Sequence, residues 1–398
     1  MEAYTSRNPA SSAATWIKRN VAILYGVGYS KGFINGFLSW YLSLLLYNWG
    51  LAVFAAVRLI AQVLDSIANV AGGYLADRIG RKPTLIITDV VYASSILCLL
   101  KPGLVPLAVI LFYVADGLPT SASFVMRMES VPENWRGKII SLGPALSYAS
   151  YAAGSFVLGI AVASYGQTFA VYLILAVALA GLAARFLLVE TLRKASASTS
   201  MSYFKELRRV FTAGEYRMAI AAMSLLGISF AISPFLAPFL KDVVGMDERG
   251  IALFFTLYNL VPIPFSLALG HLVDVYRSSI PKFLAALLLL DAPFIAAFAL
   301  LSPHAPIFAY AMLGSVSLAS IYRAAFNIYM SDVFKTHRGL LVALNAVLMA
   351  NLPGVAVPLV AALWATLGPS PAILLAAATR IAAAILLFNK FPRRLAAP

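Results

Sequence analysis

Residues 73–82 read Gly-Tyr-Leu-Ala-Asp-Arg-Ile-Gly-Arg-Lys, and this stretch separates two long apolar segments of the chain. Gly73 permits the close approach of a neighbouring helix, and Gly80 permits a tight turn. The charged positions of the stretch are Asp77, Arg78, Arg81 and Lys82. These charges can hold neighbouring helix ends together at a surface that faces water.

The whole chain is far more apolar than a water-soluble protein. It has 398 residues, of which 61% are hydrophobic and 12% are charged, and its mean hydropathy is +0.86. A soluble domain is nearer half apolar and a quarter charged. Apolar stretches of about 20 residues, the length that crosses a bilayer, follow one another with short polar breaks. The sequence therefore predicts an all-α membrane protein.

Twelve spans are predicted from the hydrophobic runs and the turn signals between them. They cover residues 21–47, 51–76, 84–100, 104–126, 139–164, 169–189, 218–240, 251–275, 282–301, 307–330, 340–367 and 371–389. The predicted domains are a cytoplasmic tail (1–20), an N-terminal six-helix bundle (21–189), a cytoplasmic linker (190–216), a C-terminal six-helix bundle (217–389) and a second cytoplasmic tail (390–398).

Lys and Arg side chains are concentrated on one side of these spans. If the N-terminus is inside, 22 of the 30 lie in cytoplasmic segments, and only Lys101, Lys241 and Arg249 lie in outer loops. Short cytoplasmic loops carry such a positive excess. Both chain ends are therefore predicted to be cytoplasmic. The net charge of +14 is assigned to topology and lipid headgroups rather than to nucleic acid, and residues 1–20 do not resemble a cleavable signal peptide.

Two motifs recur roughly half a chain apart. Part of the 73–82 stretch returns about 197 positions later, and the Arg-Gly pair at 136–137 returns at 338–339, an offset of 202. The remnant of the first repeat comprises Gly270, Asp274 and Arg277. Parallel repeats of this kind indicate a duplication that gives two similar halves, related by an axis along the membrane normal.

The 73–82 stretch resembles the signature loop of the major facilitator superfamily, and every fixed position matches. Residues 129–137 are similar to an element with Glu, Pro and Arg-Gly that many members carry after span four. The resemblance implies twelve helices in two pseudo-symmetric six-helix bundles, and a cytoplasmic gate in which Glu129 pairs with Arg81. A static surface ion pair is the alternative. The gate residues so implied are Gly73, Asp77, Arg78, Gly80, Arg81, Lys82, Glu129 and Arg136.

The sequence does not select a subfamily. Drug antiporters often carry an Arg in span four shortly before a Gly, whereas this chain has Tyr113 before Gly117. Their Gly-Pro motif of span five is incomplete after residues 143–144. The extended element that sugar porters carry after span six is reduced to the Val-Glu-Thr of residues 189–191.

Polar residues inside the spans are the candidate substrate residues. A charge at mid-membrane costs at least about 2.5–3.5 kcal/mol, so it faces a cavity or a partner. Lys31 lies about 15 Å into span one, and in the family that the chain resembles spans one, four, seven and ten line the central cavity. We predict a substrate cavity formed by Lys31, Asn35, Asp116, Thr120, Arg323 and Asn327. The alternative is that Lys31 and Asp116 only neutralise each other.

Span two carries a separate polar stripe that includes Arg58 and Asp65. Asp65 and Asp116 are the candidate proton-coupling carboxylates, and structural pairing of Asp65 with Arg58 or Lys31 is the alternative.

Two further carboxylates lie in spans three and nine, which pack outside the cavity in the family that the chain resembles. They are Asp89, a candidate partner of Arg78 or Arg81, and Asp291, for which the sequence suggests no role.

No metal site, cofactor or enzyme activity is predicted, since the histidines are scattered and no nucleotide-binding glycine loop occurs. Cys98 is the only cysteine. The sequence predicts a monomeric secondary transporter of the plasma membrane, gradient- and proton-coupled, with a weak preference for an organic anion. Its partners would be a small-molecule substrate, membrane lipids and a coupling proton. Proton-coupled drug efflux and a non-transporting receptor or scaffold are the alternatives.

Overall fold

The computed structural model describes residues 9–130, 133–191, 217–265, 279–333, 348 and 352–389. Within these ranges, side chains are not described at residues 9–18, 121, 128, 133–144, 217–219, 323–324, 326–333 and 389. The repeat remnants at 270–277 and 338–339, most of the predicted linker and both chain ends lie outside the described residues.

Helices make up almost all of the described residues, which contain no strand. The first seven are α1 (Pro9–Tyr47), α2 (Leu51–Arg78), α3 (Arg81–Cys98), α4 (Val105–Gly117), α5 (Thr120–Glu129), α6 (Glu133–Tyr165) and α7 (Gln167–Phe186). The others are α8 (Arg217–Ser229), α9 (Leu236–Asp242), α10 (Glu248–Leu260), α11 (Ile280–Leu301), α12 (Ala311–Val333), α13 (Leu352–Leu367) and α14 (Pro369–Asn389). Every predicted span contains at least one of them, and seven helical stretches in this part of the chain are long and apolar enough to cross a bilayer.

Span four consists of two helices rather than the one predicted. α4 ends at Gly117 and α5 begins at Thr120. Pro119 lies between them, and it has no N–H to donate to the preceding turn. The break follows directly after Asp116, so it places this carboxylate at the end of a helix.

Span seven also departs from α-helical geometry, as its prolines predict. α8 ends at Ser229, the segment Phe230–Phe235 forms a 3-10 helix with Pro234 inside it, and α9 continues from Leu236. The ring of a proline inside a helix removes one backbone hydrogen bond and clashes with the preceding turn. This segment supplies Ser233 and Pro234 to the cavities described below.

α1 begins at Pro9, within the predicted N-terminal tail of residues 1–20. Asn20, placed in that tail by the sequence, is fully buried. Its side-chain amide donates to Val189 O and accepts from Val189 N, both at 2.9 Å. The start of span one is thereby tied to the end of span six.

α1 and α6 cross at two glycines. A Cβ on Gly36 would overlap the carbonyl group of Tyr151, and a Cβ on Gly154 would overlap the carbonyl group of Phe33. Ser155 donates a hydrogen bond to Gly36 O at 2.8 Å. Since lipid tails provide no hydrophobic drive for helices to associate, small residues that bring backbones into van der Waals contact stabilise such crossings.

Among the described residues, the two halves share an apolar core at one end of the bundle. At the end opposite the 73–82 stretch, one cluster of buried side chains combines α1, α2 and α4 with α9, α10 and α13. At the end that carries the stretch, the described residues form two separate cores. One lies in the first half around Leu24 and Met126, and the other lies in the second half around Leu226 and Leu284.

Aromatic side chains join the halves at the shared end. The pairs across the interface are Phe54 with Phe235 (ring centroids 4.9 Å apart), Trp40 with Phe255 (5.9 Å) and Tyr47 with Trp364 (6.2 Å). Aromatic pairs contribute about 0.5–1.5 kcal/mol beyond their buried area. The interface is thus held by apolar contacts, none of which requires a buried charge.

The glycine crossing predicts that Gly36→Ala destabilises the protein, because the added methyl group must push α6 away, at a cost of about 1–3 kcal/mol. Gly28→Ala is the matched control: it lies in the same helix, and a Cβ there meets nothing within 4 Å. Thermal unfolding in detergent should show a lower midpoint for Gly36→Ala and an unchanged or higher one for Gly28→Ala. Equal midpoints would show that the crossing is not tight.

Candidate functional site

Two neighbouring cavities lie between the halves. The larger has a volume of about 260 Å³ and the smaller about 180 Å³. Both are lined by Arg58 and Tyr113 of the first half and by Ser233 and Pro234 of the second. The larger cavity is completed by residues that include Ser39, Phe112, Asp116, Phe255, Tyr258 and Asn259. Side chains from both bundles therefore enclose one central site.

Arg58 is the cation of this site. Its guanidinium group donates to Tyr113 Oη at 2.5 Å and to Ser43 Oγ. The rings of Phe54 and Tyr113 lie 5.7 and 5.5 Å from its central carbon. Arg58 is only 5% exposed, and its Nε has no hydrogen-bond partner. Among the described residues, no carboxylate lies within ion-pair distance of it.

Asp116 and Asp65 lie together on the other side of the site. The Asp116 side chain is exposed into the larger cavity. Asp65 packs against the next residue of α4, since a Cβ on Gly117 would lie 2.5 Å from Asp65 Oδ1. Asp65 Oδ2 accepts from Gln62 Nε2 at 3.0 Å. The structure thus brings the two candidate proton-coupling carboxylates together, and Asp65 forms an ion pair with neither Arg58 nor Lys31.

Lys31 lies in the interior of the first half and does not line either central cavity. Its ammonium group is 2.5 Å from Asp89 Oδ1, and Arg185 Nε donates to Asp89 Oδ2 at 3.0 Å. Neither the pairing of Lys31 with Asp116 nor that of Asp89 with Arg78 or Arg81 is present. Asp89 is only 2% exposed and lies where α1, α3 and α7 pack together. Lys31 of α1 and Arg185 of α7 therefore contact it.

The predicted neighbour of Lys31 is turned to the same internal cluster. Asn35 Oδ1 accepts a hydrogen bond from Tyr92 Oη at 2.5 Å, and the ammonium group of Lys31 lies 5.0 Å from the centre of the Tyr92 ring. Both side chains are therefore engaged within the first half.

The second half repeats this arrangement. Asp291 pairs with Arg380, and Arg380 also donates to Ser315 Oγ at 2.9 Å and to Ser229 Oγ at 3.3 Å. Asp291 follows Asp89 by 202 positions, and Ser229 follows Lys31 by 198. Asp89 and Asp291 are thus equivalent members of a duplicated Asp–Arg pair, in which a serine stands where the first half has a lysine.

The 73–82 stretch is held by two acidic side chains. Arg81 forms the ion pair with Glu129 that the family resemblance implies. Glu190, which the sequence assigned to the linker, accepts from the backbone N–H groups of Arg81 (3.2 Å) and Lys82 (2.9 Å). Its carboxylate therefore caps the N-terminus of α3, where the helix dipole favours negative charge. Gly80, with φ of 109°, makes the turn that presents these groups.

The other implied gate residues have separate surroundings. Asp77 and Arg78 are exposed, Arg78 donates to Tyr74 Oη at 2.5 Å, and Lys82 Nζ donates to Phe186 O at 2.7 Å. Gly73 is half-buried, and the close helix approach occurs one residue earlier, at Gly72.

Several predicted cavity and gate residues remain without a structural description. The side chains of Arg323, Asn327 and Arg136 lie outside the described residues. Thr120 is exposed at the start of α5 and donates weakly to Asp116 O at 3.4 Å. Within the described part of the chain, no group of three His, Cys, Asp or Glu side chains is placed to hold a metal ion.

Sequence reasoning missed three roles. Arg58 was considered only as a partner of Asp65, Glu190 was placed in the linker, and Arg185 and Arg380 were not predicted to form ion pairs. The sequence does contain a signal for the pairs that Arg185 and Arg380 form, because each half has one Asp in its third span and one Arg in its sixth.

Comparison with known proteins identifies the architecture. The sequence model of the Major Facilitator Superfamily matches residues 21–358, and no curated protein shows significant sequence similarity to the chain. Among solved structures, a D-xylose-proton symporter has a TM-score of 0.71 at 16% identity, covering 96% of this chain and 98% of its own. The nucleoside transporter NupG has a TM-score of 0.74 at 15% identity, covering 94% and 100%.

A third similar structure is the human organic anion transporter MFSD10 (TETRAN), with a TM-score of 0.65 at 14% identity, covering 93% of this chain and 99% of that one. At such identities the likeness to all three concerns the fold.

The buried Asp–Arg pair of the second half predicts a stability pattern. Asp291→Asn leaves the Arg380 guanidinium buried without a counter-charge, and breaking a buried pair from one side costs about 3–5 kcal/mol. Thermal unfolding of the purified protein should show a large loss for Asp291→Asn and for Arg380→Gln. The double variant Asp291→Asn/Arg380→Gln should recover much of it, because no charge is then unpaired. Additive losses would contradict the pairing.

Proposed function

The chain belongs to the major facilitator superfamily, and from that premise we propose that it carries a small solute across a membrane by alternating access. The family consists of transporters rather than enzymes, so the coarse function is a secondary transporter. The observation that carries the finer proposal is the central site, which side chains of both bundles line. A site built in this way changes its opening when the halves rock against each other.

The distribution of apolar cores supports the rocking movement. In the described part of the chain, the halves share one core at the end opposite the 73–82 stretch and have separate cores at the end that carries it. The shared core closes the end opposite the stretch. With the signature stretch on the cytoplasmic side, as the positive charges indicate, the central site faces inward.

The cytoplasmic gate is proposed at the start of α3. Arg81 is 8% exposed and contacts Glu129 at the end of α5, while Glu190 caps α3 from beyond the end of α7. These contacts bind three helix ends of the first half to one another. The first half can then move as one body, and the 73–82 stretch can meet the other half when the inner side closes.

Proton coupling is proposed at Asp116 and Asp65. The Asp116 carboxyl group reaches the cavity, and Asp65 packs one residue further along α4. Two neighbouring carboxyl groups share protons more readily than isolated ones, because both cannot easily be ionised at close range. A carboxyl group at the solute site can therefore link loading of the solute to protonation.

An organic anion is the proposed class of solute. Lys31, one of the cations that led to this expectation, is occupied by Asp89, and Arg58 takes its place at the cavity. The alternative of an amphipathic drug is favoured by the aromatic lining, which includes Phe112, Phe230 and Phe255. A scaffold without transport is disfavoured by the intact signature stretch.

Transport in proteoliposomes tests the proposal with Asp116→Asn. The probes are one labelled compound of each class: glucuronate, xylose, uridine and ethidium. For wild type, at least one should accumulate only when a pH gradient is imposed. Asp116→Asn should abolish accumulation, because a carboxamide does not take up or release a proton at these pH values. Solute exchange across the membrane without a gradient should persist.

Asp247→Asn is the matched control for this experiment. Asp247 caps α10 away from the central site by accepting from Gly250 N at 2.8 Å, and asparagine caps helices about as well as aspartate. Accumulation should therefore be unchanged. A correctly inserted wild-type protein that moves none of the probes, with or without a gradient, would favour the scaffold alternative. Unaltered accumulation by Asp116→Asn would show that Asp116 does not couple transport to protons.

A further inference from the structure

From the surroundings of Arg58 we infer that its guanidinium group is the anchor for the carboxylate of the transported solute, a small organic acid with a compact apolar body. This inference rests on the proposed function, since it takes the central cavities as the solute site.

Among the described cations of the spans, Arg58 differs in having no acidic partner. Lys31 and Arg185 contact Asp89, and Arg380 contacts Asp291. Arg58 is buried like Arg185 and Arg380, yet it donates to the neutral hydroxyl groups of Ser43 and Tyr113. A buried cation without a counter-charge is unfavourable in a protein interior. An anion that enters the cavity supplies the missing charge.

The donors of Arg58 are arranged for an oxyanion. One terminal nitrogen of Arg58 donates to Tyr113 Oη and the other donates to Ser43 Oγ. The rings of Phe54 and Tyr113 also lie beside the guanidinium group. Nε remains without a partner. Nε and the adjacent terminal nitrogen form the edge of the guanidinium plane that binds a carboxylate through two parallel hydrogen bonds. The group is thus oriented in advance, and its Nε is a buried donor without a partner.

The space beside Arg58 limits the rest of the molecule. The two cavities have about 260 and 180 Å³, so together they reach only the lower part of the range of about 300–1,000 Å³ that is typical of drug-sized ligands. The walls of the larger cavity are mainly apolar and aromatic, and they include Leu38, Leu42, Phe112, Leu236 and Phe255. Ser233 and Asn259, from the other half, provide polar atoms opposite. An acid with one carboxylate and a small ring or branched chain fits this chemistry.

The same arrangement gives Arg58 a place in the transport cycle. It belongs to α2 of the first half, whereas Ser233 and Pro234 belong to the 3-10 segment of the second half, and all three line both cavities. A solute held by Arg58 therefore touches both halves. Asp116 shares the larger cavity, so a proton taken up there would offset the charge of the bound acid.

Acid–amide pairs of the same shape test the inference. Purified full-length protein is unfolded thermally at neutral pH with benzoate, phenylacetate or nicotinate, and with the matching amides. At least one acid should raise the unfolding midpoint of wild type in a saturable way, and its amide should not. Arg58→Gln should weaken the apparent affinity at least about tenfold. Arg58→Lys, which keeps the charge but loses the two-pronged edge, should retain part of it.

The variants also report on a purely structural role. Since no described carboxylate pairs with Arg58, ligand-free Arg58→Gln should unfold at the wild-type midpoint or above it, unlike Asp291→Asn. Lys241→Gln is the matched control for loss of one positive charge, because Lys241 is exposed and pairs with Glu248 at 3.7 Å outside the cavity. It should leave the effect of the acids unchanged.

The inference is overturned if no acid stabilises wild type, if the amides act as well as the acids, or if Arg58→Gln binds the acids as wild type does. Its failure is distinct from failure of the transport proposal. If Arg58→Gln does not affect solute movement, the transport proposal stands and Arg58 is not the anchor. If the acids bind only when Arg58 is present but the protein moves no solute, Arg58 is the anchor and the transport proposal fails.

Discussion

Hydrocarbon does not solvate ions, and this constraint explains where the charged side chains of the spans lie. Asp89 neutralises Lys31 and Arg185 inside the first half, and Asp291 neutralises Arg380 inside the second. Each half therefore neutralises these charges internally and can move without separating them. Arg58 and Asp116, which both line the larger cavity between the halves, have no such ion pair among the described residues.

The contacts between the halves are of a different kind. At the shared end they are aromatic and aliphatic, as in the pairing of Phe54 with Phe235 and the stacking of Trp40 on Phe255. Breaking such contacts exposes apolar surface, which neighbouring lipid and helices can cover, and it leaves no charge unpaired. Ionic contacts within the halves and apolar contacts between them together favour movement of two rigid bodies over deformation of either.

The fold could be predicted from sequence because its signals are local. The length of the apolar runs predicted the spans, and the family resemblance implied the contact of Arg81 with Glu129. Ion-pair partners could not be predicted, because they depend on helix rotation. A shift of one residue turns a side chain by about 100°, so the sequence alone allows Lys31 to face either Asp116 or Asp89. The role of Glu190 could not be predicted for a similar reason, because it requires that α7 end beside the start of α3.

The central claim is that water reaches the space around Arg58 and not the charge clusters within each half. Serine-to-cysteine variants measure this most directly in a Cys98→Ser background, since Ser39 and Ser233 are exposed in the cavity whereas Ser155 and Ser315 are buried inside the halves. A membrane-impermeant thiol reagent applied from the cytoplasmic side should label Ser39→Cys and Ser233→Cys quickly and the other two hardly at all. Equal labelling at all four positions, or none at Ser39→Cys and Ser233→Cys, would contradict the account.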